Sequence, residues 1–203
     1  MSKDKIIISI GRQYGSGGRE IGRKLSEIFN IDFYDKELLT LAAKQSGFSE
    51  EVLEENDEKH NTSFLYSLVM GTYSGRDNLP LNHKFFLAQF DTIKKLAEEK
   101  SCVIIGRCAD YALEYDPNCI KVFIHADIDA RIKRVIDNYG IDPNKVEEII
   151  KKTDKQRASY YNFYTGKRWG SIDNYDITLN SSYAGIDGSV KVIESLIREK
   201  VNI

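Results

Sequence analysis

Two patterns of apolar residues alternate along the chain. Short apolar runs are separated by longer segments in which apolar residues recur every three or four positions. The runs are typical of strands buried in a parallel sheet, and the spaced pattern is typical of helices with one buried face. Strands are predicted at residues 5–10, 32–34, 102–105, 121–125 and 177–179. Helices are predicted at residues 18–29, 36–46, 49–58, 83–100, 109–114, 129–139, 144–164 and 187–201. The alternation predicts a three-layer α/β fold with a central parallel five-stranded sheet.

A glycine-rich segment joins the first predicted strand to the first predicted helix. It reads Gly-Arg-Gln-Tyr-Gly-Ser-Gly-Gly-Arg-Glu from Gly11 to Glu20. Such a loop bends the chain so that backbone amides point inward, and the helix N-terminus adds a positive dipole. Glycine also leaves room for phosphate oxygens to approach the backbone. The segment therefore predicts a phosphate site, most simply for a nucleotide. The alternative is a tight strand-to-helix turn that uses glycine for geometry alone.

The segment departs from the Walker pattern, G-x-x-x-x-G-K-[S/T]. With Gly17 as the second glycine, Gly18 holds the lysine position and Arg19 the hydroxyl position. With Gly18 as the second glycine, those positions hold Arg19 and Glu20. Arg19 could supply the missing charge, because a guanidinium also binds phosphate. Ser16 is the nearby hydroxyl that could bind Mg²⁺.

Two polar residues follow predicted strands closely. Asp35 ends the second strand segment, and Arg107 comes after Gly106 at the end of the third. Ligands of parallel sheets bind beyond the carboxyl ends of the strands, so both side chains are candidates for substrate binding. A guanidinium suits phosphate, and a carboxylate there suits a base, a sugar or an arginine. The structural alternatives are an N-cap for Asp35, and for Arg107 an ion pair with Asp110 or Asp35.

The helices predicted at residues 129–139 and 144–164 carry charged residues at helical spacing. Arg131 and Arg134 share one face of the first helix, and Asp154 and Arg157 share a face of the second. A hinge-like turn joins the two helices, so the pair could close over a polyphosphate and stabilise charge that develops during transfer. The alternative is that these side chains only solvate exposed faces, as we expect for the neighbouring lysines.

Composition limits the classes of function. The 203 residues are 41% hydrophobic and 30% charged, with a net charge of −2 that gives no basic field for a nucleic acid partner. Three cysteines without C-x-x-C spacing and scattered histidines argue against a metal centre and fit a reducing compartment. No apolar run reaches membrane-spanning length, and the first strand begins too close to Met1 for a signal peptide. We therefore expect a cytoplasmic protein with no membrane partner.

Residues 61–82 fit the alternation poorly, because an apolar beginning gives way to a turn-rich end. The segment could cover a substrate or form a contact between copies of the chain. The sequence therefore leaves a homo-oligomer open.

Assembled, these segments resemble the cytidylate-kinase-like group of P-loop nucleoside monophosphate kinases over nearly the whole chain. The resemblance rests on motifs in the following segments: the loop at residues 15–20, Phe33-Tyr34-Asp35, Gly106-Arg107, residues 120–126 ahead of Arg131 and Arg134, and residues 154–157 and 175–180. It implies a P-loop NTPase-type fold in one domain spanning residues 1–203. Within that domain it implies a helical acceptor-binding insertion at 36–100 and a helical lid at 127–170.

The resemblance also implies roles for individual residues. ATP and Mg²⁺ would be the cofactors, and the ATP phosphates would contact Gly15, Ser16, Gly17, Gly18, Arg19 and Glu20. Asp35, Arg107 and Asp154 would contact the substrate. The charges that stabilise the migrating phosphoryl group would come from Arg19, Arg131, Arg134 and Arg157. Relative to the family loop, G-x-G-K-G-T, the lysine is replaced by Gly18 and the threonine by Glu20.

The resulting hypothesis is ATP-dependent phosphoryl transfer to a nucleoside monophosphate or a related small molecule. One alternative is a nucleotide-binding protein that regulates without turnover, which the missing lysine and hydroxyl suggest. Another is a dinucleotide-binding oxidoreductase, because Gly15, Gly17 and the later acid Asp35 imitate part of the Rossmann fingerprint.

Overall fold

The computed structural model describes residues 5–35 and 81–201. Five strands form one parallel sheet in the order β2-β3-β1-β4-β5. The strands are β1 (Ile7–Arg12), β2 (Asp32–Tyr34), β3 (Cys102–Ile105), β4 (Cys119–His125) and β5 (Ile177–Asn180). The helices, numbered over the described residues, are α1 (Gly18–Phe29), α2 (Leu81–Glu99), α3 (Ala109–Ala112), α4 (Ile128–Tyr139), α5 (Val146–Thr165) and α6 (Ser181–Val201), with a 3₁₀ turn at Ile172–Asn174.

The predicted parallel five-stranded sheet is confirmed, and several element boundaries shift, most importantly those of the first strand and the last helix. The first strand runs on to Arg12, because its pairing with β4 continues to the Arg12–Ile124 register. The last helix begins at Ser181, six residues before the predicted start, and is interrupted by Gly185 with φ 66°. The helices predicted at residues 36–46 and 49–58 lie outside the described residues.

The sheet is covered on both faces. Alternate residues of β1 point to opposite sides, as strand geometry requires. Ile8 and Ile10 pack with α1 and α6, whereas Ile7 packs with α2 and α3. All three side chains are fully buried, so each contributes about 1.5–3 kcal/mol of hydrophobic stabilisation. The two cores hold the carboxyl ends of the strands at fixed positions along one edge.

The strand order places β1 at the centre of that edge. After β1 the chain leads to β2 and β3 on one side, and then crosses to β4 and β5 on the other. Ligands of open α/β sheets bind at such a reversal of strand order. In the Rossmann order β2 lies beside β1, whereas here β3 separates them, so the strand order gives no support to the oxidoreductase alternative.

Candidate active site

The loop between β1 and α1 presents a row of backbone N–H groups. Gly15 and Gly17 adopt left-handed conformations with φ 78° and 79°, and Gly17 caps α1 without a side-chain hydrogen bond. Within residues 5–35 and 81–201, no acceptor bonds the amides of Gly15, Gly17, Gly18 or Arg19. Since these donors lie at the positive end of the α1 dipole, they form a cradle for an anion.

Close packing from behind fixes the shape of this cradle. A Cβ atom on Gly15 would lie 2.8 Å from Cγ2 of Val135, and one on Gly17 would lie 2.3 Å from Cδ1 of Ile186. The loop is therefore held against α4 on one side and α6 on the other. Only glycine satisfies both the backbone conformation and the available space at these two positions.

Arg131 and Asp154 tie the loop to α4 and α5. The Tyr14 N–H donates to Oδ1 of Asp154 at 2.8 Å, and Nε of Arg131 donates to the Tyr14 carbonyl oxygen at 2.7 Å. A guanidinium–carboxylate pair between Arg131 and Asp154 closes this triangle. Arg131 is buried and Asp154 nearly so. The geometry thus gives both residues a role in positioning the loop.

The Ser16 hydroxyl is directed to the backbone. Oγ lies 2.9 Å from the Gln13 carbonyl oxygen and 3.0 Å from that of Ile124, and the residue is buried. The Ser16 carbonyl in turn accepts a hydrogen bond from Oγ of Ser181. This hydroxyl therefore braces the loop against β4 and α6, and its predicted role as a Mg²⁺ ligand gains no support from the geometry.

An open cleft of about 640 Å³ lies in front of the cradle. Among the described residues its ionisable lining, apart from two tyrosines, consists of arginines and carboxylates: Arg12, Arg19, Arg23, Arg107, Arg134, Arg157, Glu20 and Asp35. Within this described part of the wall, six cations against two anions create a positive field. Each guanidinium group can donate two parallel hydrogen bonds to the oxygens of one phosphate. The cleft therefore suits a ligand that carries several phosphates.

Ion pairs hold two of these arginines across the cleft. Nε of Arg19 lies 2.6 Å from Oδ2 of Asp35, and Nη1 of Arg134 lies 2.6 Å from Oε2 of Glu20. Asp35 is buried, whereas Arg19 and Glu20 are about half exposed, so solvent weakens both pairs. The structure therefore brings together four of the residues that the sequence predicted for phosphate or substrate binding.

Arg107 occupies a strained turn directly after β3. Gly106, Arg107 and Cys108 are all left-handed, with φ 70°, 59° and 54°. For the two residues with side chains this costs about 1–3 kcal/mol each, and such strain clusters at functional sites. Arg107 is buried, and this burial lowers its pKa, with Tyr160 and Asp35 acting in the opposite direction. A buried cation at the wall of the cleft is placed to recognise an anion.

Arg157 reaches the opposite wall from α5. Its Nη1 donates to the Arg12 carbonyl oxygen at 3.3 Å, and its guanidinium lies 5.6 Å from the centroid of the Tyr14 ring. Tyr14 stacks in turn on Tyr139 at the end of α4. Desolvation raises the pKa of Tyr14, and Arg157 opposes that rise. Both helices of the predicted lid therefore touch the glycine loop.

A buried hydrogen bond couples α5 to the turn of Arg107. Tyr161 donates its hydroxyl hydrogen to Oδ2 of Asp110 at 2.6 Å, and both residues are buried. Burial raises the pKa of each group. Tyr160, Tyr161, Tyr164 and Trp169 pack with Phe86 and Cys108, so the aromatic cluster serves helix packing.

Arg12 is a cleft residue that sequence reasoning missed. The sequence pattern places it in the glycine-rich segment after the first strand, whereas it is the last residue of β1. Its side chain lines the cleft beside the cradle. The glycines at positions 18 and 106 were the available signal, because each of them leaves space that Arg12 fills.

The described ranges hold neither a metal-binding cluster nor a membrane-spanning helix. No group of three or more histidine, cysteine or acidic side chains there could hold a metal ion. Within the same part of the chain, no helix combines the length and apolar character needed to cross a bilayer.

Known proteins share this sequence and architecture. The cytidylate kinase of Pyrococcus horikoshii is 23% identical over 199 residues, covering 97% of this chain and 91% of that protein. An uncharacterized protein from Eubacterium ventriosum ATCC 27560 is 33% identical, with a TM-score of 0.72 over 95% of this chain and 98% of its own. The shikimate kinase of Bacteroides thetaiotaomicron, at 16% identity and a TM-score of 0.56, covers 95% of this chain and 98% of its own and shares the fold.

These likenesses confirm a P-loop NTPase-type α/β fold and support a kinase-like role. The model of the cytidylate kinase-like family matches residues 7–183, which include the glycine loop, the Arg107 turn and both arginine-bearing helices. The chain therefore belongs to the cytidylate kinase-like family.

Proposed function

We propose that the protein transfers the γ-phosphoryl group of ATP to a nucleoside monophosphate or a closely related phosphate-bearing molecule. The observation that carries the proposal is the row of amides at Gly15, Gly17, Gly18 and Arg19, which opens into the arginine-lined cleft. Phosphoryl transfer requires little covalent chemistry of the protein and depends on positioning and charge stabilisation. A preorganised set of amides and guanidinium groups supplies both.

In this proposal the loop and α4 bind the triphosphate. The four amides hold the phosphate oxygens, and Arg134 lies over Gly17, with Cζ 3.3 Å from the position of a Cβ atom there. Glu20 orients Arg134 through their ion pair, and Arg131 with Asp154 keeps the loop in place. Mg²⁺ enters with ATP as the MgATP substrate.

The acceptor occupies the side of the cleft nearest β3. Arg107 binds its phosphate, and Asp35 with Arg19 contacts the remainder of the molecule. An oxygen of the acceptor phosphate forms a bond to the γ-phosphorus, the bond from that phosphorus to the β–γ bridging oxygen breaks, and ADP leaves. The acceptor phosphate is already ionised at neutral pH, so the reaction needs no general base.

The arginine-bearing helices α4 and α5 act as the lid of residues 127–170. Their contacts to Tyr14 and Arg12 bring them against the loop, where Arg157 neutralises charge on the migrating group. The acceptor-binding region of residues 36–100 is proposed from the family resemblance, and 36–80 lie outside the described residues. CMP is the first acceptor to test, because curated relatives are cytidylate kinases.

A non-catalytic role in nucleotide binding is the second candidate. Gly18 and Glu20 stand where the family loop has lysine and threonine, and this departure is the observation that favours it. Such a protein would use the same cradle without turnover.

The test is a product screen with ATP and Mg²⁺ against CMP, dCMP, UMP, AMP, GMP and small phosphorylated metabolites. We expect ADP and one phosphorylated product to form in equal amounts, with one acceptor much faster than the rest. A parallel ATP titration distinguishes the two reasons for which the screen could yield no product. Binding without transfer to any acceptor would favour the regulatory role, and absence of binding would refute both.

A further inference from the structure

We infer that Arg12 is a phosphate-binding residue that replaces the missing loop lysine by placing a guanidinium beside the γ-phosphate of the bound nucleoside triphosphate. This inference rests on the proposed function. It assigns the compensating charge to a strand residue that precedes the glycine loop, whereas the sequence motif placed it on Arg19.

The first observation is the space at Gly18. A Cβ atom built on Gly18 would lie 2.7 Å from Cβ of Arg12 and 3.3 Å from its Cγ. Gly18 is the first residue of α1 and has no left-handed φ, so its backbone does not require glycine. Glycine in a helix costs about 0.5–1 kcal/mol relative to alanine, and the Arg12 side chain gives the steric reason for it.

The second observation is the space at Gly106. Nη1 of Arg12 lies 2.0 Å, and its Cζ 2.9 Å, from the position of a Cβ atom on Gly106. The side chain therefore passes from the start of α1 to the turn after β3, with a glycine at each end. Its stem occupies the volume in which a side chain of residue 18 would begin, and its charged end lies beside the Arg107 turn.

This course carries the Arg12 side chain from the start of α1, where its stem contacts Gly18, to the Arg107 turn, where its guanidinium contacts Gly106. Arg12 therefore lines the cleft together with the cradle residues and Arg107. The Arg12 carbonyl accepts the hydrogen bond from Arg157, so the lid helix contacts the same residue. A cation at this point faces the phosphoryl group that moves between donor and acceptor.

Arg19 is placed differently. Its Nε is paired with Asp35, and the side chain is half exposed. Arg19 is therefore proposed to serve the acceptor side of the cleft. The stem of Arg12 instead occupies the space at residue 18, where the family loop has its lysine. This difference makes the two arginines separable by experiment.

The experiment measures ATP binding by calorimetry for Arg12→Gln, Arg19→Gln and the remote control Arg198→Gln, which lies on α6 and pairs with Glu194. We expect Arg12→Gln to weaken binding about 10- to 100-fold, since one charge-assisted hydrogen-bond pair is lost. Arg198→Gln should change ATP affinity by less than about threefold, and Arg19→Gln should weaken it less than Arg12→Gln does. Unchanged affinity in Arg12→Gln, or a larger loss in Arg19→Gln, would overturn the inference.

A second pair of variants tests whether Arg12 acts through its charge or only by filling space. In the Arg12→Gly background the Cβ and Cγ atoms that crowd residue 18 are both absent, so Gly18→Lys and Gly18→Met can place similarly long side chains there with and without charge. We expect the lysine variant to bind ATP at least about tenfold more tightly than the methionine variant. Equal affinities would show that Arg12 acts by filling space. If the wild-type protein binds no ATP, the proposed function fails together with the inference.

Discussion

Replacing Arg107 with alanine is expected to lower kcat/KM for the phosphate acceptor by about 100- to 1000-fold, the usual loss when one preorganised donor is removed. The guanidinium is buried in the cleft wall on a strained left-handed turn, so no solvated side chain can substitute for it. Because the residue is proposed to bind the acceptor, the Kd for ATP should change little. Steady-state kinetics with varied acceptor, combined with ATP calorimetry, measures both effects.

Arg107→Lys is the matched variant, because it keeps the charge but loses the planar pair of donors. It should recover only part of the lost rate, since a lysine cannot bind phosphate bidentately. Normal acceptor kinetics in a folded Arg107→Ala protein would reject this assignment. A large loss of ATP affinity would instead move Arg107 to the donor side.

Truncating Arg157 to alanine should lower kcat by about 100-fold or more, with a smaller effect on the Kd for ATP. The reason is that this guanidinium is proposed to neutralise charge that grows as the phosphoryl group moves, which stabilises the transition state more than bound ATP. Single-turnover measurements at saturating substrates report the chemical step directly.

Lys155→Ala provides the control on the same helix. Lys155 is exposed two residues before Arg157 and lines no part of the cleft, so its removal should leave kcat within about twofold. Equal losses in the two variants would mean that the lid helix responds to any loss of charge. An unchanged kcat in Arg157→Ala would remove Arg157 from the mechanism.

Local patterns predicted the scaffold well because they act at short range. The strands β1, β3 and β4 are buried on both faces, so their sequences are nearly continuous apolar runs that are easily recognised as strands. The glycine-rich segment predicts a loop between the first strand and the first helix, and in the structure Gly15 and Gly17 of this loop adopt left-handed backbone conformations. The strand order was not predictable in this way, because it depends on contacts between distant segments.

The candidate site was predicted less completely, because side-chain partners are set by tertiary contacts. Helical spacing put Arg131 and Arg134 on one face, yet Arg131 turns to Tyr14 and Asp154 while Arg134 reaches Glu20. Arg12 was missed since its significance depends on glycines 6 and 94 positions away in the chain. Only the fold brings those positions together.

The central claim, that the loop amides embrace a phosphate group, is tested most directly by NMR titration of ¹⁵N-labelled protein with MgATP. We expect the amide resonances of Gly15, Gly17, Gly18 and Arg19 to shift together and saturate, while those of Cys102 and Cys119 at the opposite ends of β3 and β4 stay in place. Four loop amides that remain unshifted at millimolar MgATP would contradict the account.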